Sequence, residues 1–325
     1  MTDNPSNSVA QIIEAVTNTT TDLAALTPPI VKRSLLKSIV ALVAGIFEIP
    51  AAGLESVSQR IRDRTAAHSL ITLGTAKASA EMITSDPELL GRATQRLAGD
   101  LIRSQKNRET IAKLVVDDLK AAPPQEDSEI EIDDDWLNMF SRIAEQRSAP
   151  EMQAYLAKIL AGEIRRPGSF DPSTIQIVST ITAPIANSFQ RLCSLMFVFN
   201  EIKLLTSMLF CGPFGSPKSN ALKPFQLPFS TLTKLQDAGL LKHELSTWQE
   251  IAAVSFLTDD VALGNERLTF EPDTGYDGSM TQRCSVLLLT TPGEQLRPLV
   301  ASVKDDAFLE ASVKWVQSTF HVRRT

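Results

Sequence analysis

A mainly α chain is expected, with an N-terminal helical bundle, a central helical hairpin and a C-terminal α+β module. Three observations predict it. Aromatic residues make up only 6% of the 325 residues and glycine is sparse, which suits helices packed through Leu, Ile, Val and Ala better than a large sheet sandwich. Residues 133–174 carry dense apolar periodicity at helical spacing, with a start or stop signal at every boundary. After residue 228 the period changes, and short alternating or fully apolar runs take over.

The balance of 43% hydrophobic and 22% charged residues is that of a folded protein with a sizeable core. A formal charge of −6 argues against bulk attraction to nucleic acid or to an anionic membrane, so any polyanion contact has to be local. Three widely spaced cysteines, Cys193, Cys211 and Cys284, do not make a disulfide framework, and a reducing cytoplasm is the expected setting. The start, MTDNPSNSVAQIIEAV, lacks the basic and apolar regions of a signal peptide.

Residues 1–33 read as a flexible arm with a Pro28-Pro29 break, followed by a helical bundle over 34–120. Ser34 to Ile49 is the most hydrophobic segment, and it suggests a membrane-active helix as one alternative. Lys37 and Glu48 bracket too few uncharged residues for the roughly 20 that a bilayer span needs, so a buried core or oligomer helix is the preferred reading. A helix over about 54–83 carries Arg60, Arg62 and Arg64. Ser85-Asp86-Pro87-Glu88 opens another through Leu89, Leu90, Ala93, Leu97 and Leu101, and a separate one is predicted from Asn107 to Leu119. Arg92, Arg96 and Arg103 fall near one helical face and are the candidate phosphate contacts, although Glu88, Asp100 and Glu109 interleave with them. Residues 121–132 form an acidic linker, in which prolines and mutually repelling carboxylates keep the chain extended.

The central helical domain, 133–210, begins with a hairpin. Asp133 or Asp134 can cap a helix carrying Trp136, Met139, Phe140 and Ile143. Ser148 to Glu151 reads as an S-x-x-E capping box for a second helix, with Met152, Tyr155, Leu156, Ile159 and Leu160 on its apolar stripe. Ala154, Ala157, Ala161 and Gly162 give that helix a small-residue side open to close approach by another helix. Pro167-Gly168 ends it, Asp171-Pro172 starts the next, and a further helix runs from Pro184 to Phe199. The candidate interaction residues are Trp136, Phe140, Met152, Tyr155 and Gly162.

The run DDWLNMF, followed by SAPEMQAYLAKILAGEIRRPGSF and a Thr-x-x-Ile helix, resembles a bacterial domain-of-unknown-function family, catalogue number 2806. The resemblance implies no activity and no catalytic residues. The AKILA helix is also similar to one in bacterial abortive-infection proteins, which by analogy alone implies phage defence. Asp171-Pro172 stands where the family usually has a serine and another residue.

Residues 211–325 read as a winged-helix-like α+β module. A breaker-rich loop leads to a short helix, Ser230 to Ala238, stopped by Gly239; a strand begins at Leu240-Leu241; further strands lie at Ile251 to Leu257, Arg267 to Phe270 and Cys284 to Leu289; and Thr291 to Glu294 caps another helix. A last amphipathic helix carries Phe308, Leu309, Val313 and Val316. Such a module can read DNA through a basic helix, but the candidate here offers Lys234 beside Asp237 and no arginine, which disfavours phosphate neutralisation.

No catalytic constellation is legible. His68, His243 and His321 lack metal-ligand spacing, and no phosphate-cradling glycine loop or G-x-S-x-G elbow occurs. Asp134, Asp135, Glu151 and Glu163 read as caps and solvated helix positions. No cofactor or metal is expected. The sequence therefore points to a non-enzymatic helical interaction protein whose partner is another protein or a second copy, with a nucleic-acid-binding regulator and a membrane-active effector as alternatives.

Overall fold

The computed structural model describes residues 35, 37–39, 41–42, 87–123, 131–199, 207–242, 244, 247–257 and 261–325. The arm, the helix expected over about 54–83 with Arg60, Arg62 and Arg64, most of the acidic linker, His68 and His243 lie outside them. The chain divides into two compact units, Met1–Phe170 and Asp171–Thr325. That boundary falls inside the stretch read from sequence as one central domain.

The first unit is helical. Helix α1 spans Pro87–Ala121, 35 residues and about 52 Å at 1.5 Å per residue. Sequence periodicity divides it near Lys106, but Ser104, Gln105 and Lys106 are all compatible with a helix, and nothing between Leu101 and Asn107 breaks the backbone ladder. Its C-terminal half buries Ile111, Ala112, Val115, Val116 and Leu119 against α2 (Asp134–Glu145) and α3 (Pro150–Arg165). Asp133 caps α2 by accepting from the Trp136 amide at 2.9 Å. The S-x-x-E box does not form: Ala149 is the N-cap of α3 and makes no side-chain cap bond. Pro150 occupies the first helical position, where its fixed φ places the N-cap one residue beyond Ser148.

A buried polar network joins α1 to the α2–α3 turn. Asn107 donates to the Glu145 carbonyl at 2.8 Å, and the Gln153 amide donates to Asn107 and to the Arg147 carbonyl. Leu35, Ile39, Ala41 and Leu42, within the described part of the hydrophobic segment, are buried, and Lys37 reaches Asp134 at 2.7 Å and the Ile132 carbonyl at 3.2 Å. Among the described residues no helix is long and apolar enough to cross a membrane.

The second unit makes the chain α+β rather than mainly α. Helices α4 (Pro172–Thr180) and α5 (Ala183–Ser194) precede β1 (Phe197–Phe199) and β2 (Ser207–Phe210). The helix expected to reach Phe199 ends five residues earlier, because the apolar Phe-Val-Phe run is buried on every residue and pairs with β2 and β4. After α6 (Phe229–Asp237) come β3 (Thr247–Ala252), β4 (Val261–Leu263), β5 (Glu266–Leu268), β6 (Phe270–Pro272) and β7 (Thr281–Leu288). Then follow α7 (Thr291–Leu296), α8 (Asp306–Phe320) and β8 (Val322–Arg324). The main sheet is antiparallel in the order β3-β7-β2-β1-β4-β5, and β6 pairs with β8 separately. Leu240-Leu241, expected to open a strand, contributes only a single bridge from Leu241 to Leu289.

Aromatic residues fill the core that α8 shares with the sheet. Phe197, Phe199, Phe210 and Phe256 cluster, Trp315 of α8 lies 5.2 Å from Phe210, and Phe320 lies 4.7 Å from Phe256. Gly212 is required where Trp315 passes: a Cβ there would stand 2.6 Å from the indole Cε2. Asp305 caps α8 through the Phe308 amide and pairs with Arg191 of α5, whose Nε donates to the Phe225 carbonyl at 2.9 Å.

Candidate functional site

Trp136, Phe140 and Gly162 converge on one internal knot in the first unit. Trp136 and Phe140 are buried and stack with centroids 5.4 Å apart and planes 4° apart. The Trp136 indole N–H donates to the Phe170 carbonyl at 2.7 Å. The Phe170 ring lies against Gly162, where a Cβ would come within 2.8 Å of it, so the glycine admits an aromatic ring of its own unit. Glu163, read from sequence as a solvated helix position, is 3% exposed; its two carboxylate oxygens accept the Gly168 and Phe170 amides at 2.6 and 3.0 Å. Met152 and Tyr155 are half-buried on α3.

The other acids do not converge. Asp134 pairs with Lys37, Glu151 is exposed in the first turn of α3, and Glu163 closes the turn after that helix. Among the described residues no group of histidine, cysteine, aspartate and glutamate could hold a metal ion. A cavity of about 110 Å³ in the second unit is lined by Glu266, Ser302, Lys304 and Asp305 over Leu263 and Phe308. It is well below the ~300–1,000 Å³ of ordinary small-molecule sites. Its charges are already engaged: Lys304 pairs with Asp306 and Glu266, and Asp305 with Arg191.

The three cysteines are free and buried. Burial pushes the Cys211 thiol up to about 12 and the Cys284 thiol to about 11, and raises Cys193 further still. All three therefore stay protonated near neutrality, away from the thiolate that nucleophilic chemistry needs. Ellman's reagent at pH 8 is expected to titrate no fast thiol in the folded chain and three after unfolding. A rapidly reacting native thiol would show that one of the three is open to solvent as a thiolate.

Arg92, Arg96 and Arg103 do share an exposed face of α1. Each is paired on its own helix: Arg92 with Glu88 at 3.5 Å, Arg96 with Asp100 at 3.9 Å and Arg103 with the same Asp100. Two carboxylates thus offset much of the field that three arginines would offer a phosphate.

Two features that the sequence does not single out stand out by exposure. Leu97, Leu101 and Ile102 on α1 are 56%, 54% and 70% exposed, and Trp248 on β3 is 54% exposed with the Arg283 guanidinium 5.3 Å from its ring centroid. Periodicity puts Leu97 and Leu101 on the apolar stripe of their helix, but it cannot say where that stripe leaves its partners. Trp248 carries no signal, since a lone tryptophan beside polar residues fits a loop as well as a strand.

The geometry defines an α+β protein with a helical first unit and a sheet-bearing second, and with large apolar side chains presented on both. It belongs to the family described as "Protein of unknown function (DUF2806)", whose model matches residues 91–312, more than half of the chain. No curated protein and no solved structure matches it.

Proposed function

We propose that this is a non-enzymatic interaction protein that assembles through the N-terminal half of α1, with a second copy of the chain as its partner. One observation carries the reading: among the described residues, the apolar stripe of α1 outruns its cover. Eighteen residues make five helical turns, so Leu97 and Leu101 repeat the angular positions of Val115 and Leu119, which are buried against α2 and α3. The stripe that packs the first unit together is crossed by Gln105 and Arg108, which bond to each other while Arg108 also pairs with Glu145, and then resumes, exposed, toward the helix start.

Its flanks suit a like partner. Ala93, Thr94, Ala98 and Ser104 border the seam and are small and uncharged, whereas Arg92, Arg96 and Arg103 lie on the opposite side, paired with Glu88 and Asp100. Asp100, the one acid near the stripe, is paired with Arg96 and Arg103, so two copies can close over the leucines without apposing unpaired like charges. The similarity of the α3 sequence to abortive-infection proteins adds phage defence as the setting in which such assembly would act. The succession α6, the Leu241–Leu289 bridge, the β3–β7 pair and α7 supports a winged-helix-like reading of the second unit. The exposed side of α6 still offers Lys234 beside Asp237, so protein contact is favoured over DNA.

Sedimentation velocity of the full chain tests this. The intact chain is expected to associate with concentration, and Leu97→Glu with Leu101→Glu is expected to lower the weight-average mass to half or less at the same concentration. The dissociation constant should rise at least ~100-fold, since two leucines per copy contribute more than the 1.4 kcal/mol that each tenfold requires. A monomeric intact chain, or a variant of unchanged mass, overturns the proposal. So does a lowered melting temperature at unchanged mass, which would place the seam's cover within the chain itself.

A further inference from the structure

We infer that β3 is a second self-association surface, at which two copies pair their edge strands antiparallel and join two sheets into one. This goes beyond the helix seam and does not depend on it. β3 ends the sheet order, so one of its sides has no neighbouring strand among the described residues. Six consecutive residues of β3 pair with β7, from Thr247 opposite Val286 to Ala252 opposite Thr281. The Ala253 amide donates to the Met280 carbonyl in the same ladder. Because inward and outward backbone groups alternate along an antiparallel strand, Ile251, Gln249 and Thr247 then bond to β7. The N–H and C=O of Trp248, Glu250 and Ala252 point to the open side. Neither proline nor lysine guards this edge, and an exposed tryptophan stands on it.

Side-chain placement selects the register. A two-fold pairing must set outward groups against outward groups, and two registers give extensive overlap. One puts Glu250 opposite Glu250 of the second copy, which is destabilising. The other puts Trp248 opposite Glu250 of the second copy and brings that carboxylate beside Arg283. Arg283 lies directly across the ladder from its own Glu250 and covers the Trp248 ring. Among the described ion pairs there is none between the two. A guanidinium held over the aromatic ring on this face is thus placed to receive the incoming carboxylate, once from each copy. Glu250 also makes this face a poor path for a phosphate backbone, which favours a protein strand over nucleic acid.

In this register Gln249 meets Gln249 of the second copy on the two-fold axis, as a non-hydrogen-bonded pair with Cα atoms about 4.5 Å apart, within the range that a disulfide spans. Gln249→Cys, in a Cys284→Ala background that removes the thiol across the ladder, is expected to give a disulfide-linked dimer on non-reducing gels under mild oxidation. It should form equally when Leu97→Glu and Leu101→Glu are present, which separates this edge from the helix seam. Adding Glu250→Pro removes an outward N–H without breaking the β7 ladder, and is expected to slow cross-linking roughly tenfold or more at unchanged circular dichroism. An introduced thiol at position 249 that reacts with Ellman's reagent but does not cross-link overturns the inference. Cross-linking that survives Glu250→Pro does the same, since it would report random collision. Oligothymidine that blocks cross-linking would reassign the edge to nucleic acid.

Discussion

Trp136→Ala is expected to destabilise the first unit by about 3–5 kcal/mol, the range for removing a large aromatic side chain from a core. The indole is 5% exposed, stacks on Phe140 and donates to the Phe170 carbonyl. Its loss opens a cavity and also leaves that carbonyl without its donor, a cost of ~1–3 kcal/mol where water cannot substitute. The damage should spread along the knot, because Phe170 is otherwise held by the Glu163 carboxylate and by the space above Gly162. Trp136→Phe keeps most of the stack and loses only the N–H, so it should cost the smaller amount. Urea unfolding followed by circular dichroism, together with hydrogen exchange of α1 to α3, measures both. A Trp136→Ala unfolding free energy within about 1 kcal/mol of the intact chain's would mean that the knot is not what holds the turn at residues 166–170.

Much of the first unit is legible in the sequence because helix signals are local. Asp133, Pro150 and Pro172 start α2, α3 and α4, and Gly239, at φ +74°, follows the end of α6. The caps are less legible, since a cap is chosen by whichever polar group arrives. Asp171 makes no side-chain cap bond; Gln295, over a hundred residues away, accepts its amide at 2.9 Å and also bonds the Thr174 hydroxyl. Thr290, not Thr291, caps α7 through the Gly293 amide. The sheet is harder still. Strands of three or four residues such as β1, β2 and β4 are too short for alternation to show, and several of their partners lie far away in sequence. The candidate surfaces escape sequence reading for a related reason: the pattern shows that Leu97 is apolar, but only the lengths of α2 and α3 decide whether they cover it.

Gly293→Val is expected to cost the second unit at least about 3 kcal/mol, the upper end for overpacking, because the obstacle is backbone. A Cβ at this position would collide with the Leu240 carbonyl oxygen and stand 3.0 Å from the Leu289 Cβ. Neither can yield easily. Leu240 follows Gly239, whose positive φ sets the turn and whose own Cβ would meet Ile177 of α4 at 2.9 Å. The Leu240 carbonyl accepts the Thr290 amide at 3.1 Å, and the Thr290 hydroxyl donates to the Gly239 carbonyl. Displacing α7 withdraws Gln295 from Asp171 and Thr174, and separates Glu294 from its buried partner Ser207 on β2. Glu294 is held above the usual carboxylate range first by desolvation, so losing the Ser207 hydroxyl removes part of what offsets its burial. The variant should therefore lose hydrogen-exchange protection at the start of α4 as well as in α7, while α1 to α3 keep theirs. If protection at Asp171 and Thr174 is unchanged while α7 alone loosens, α4 does not depend on Gln295 for its cap.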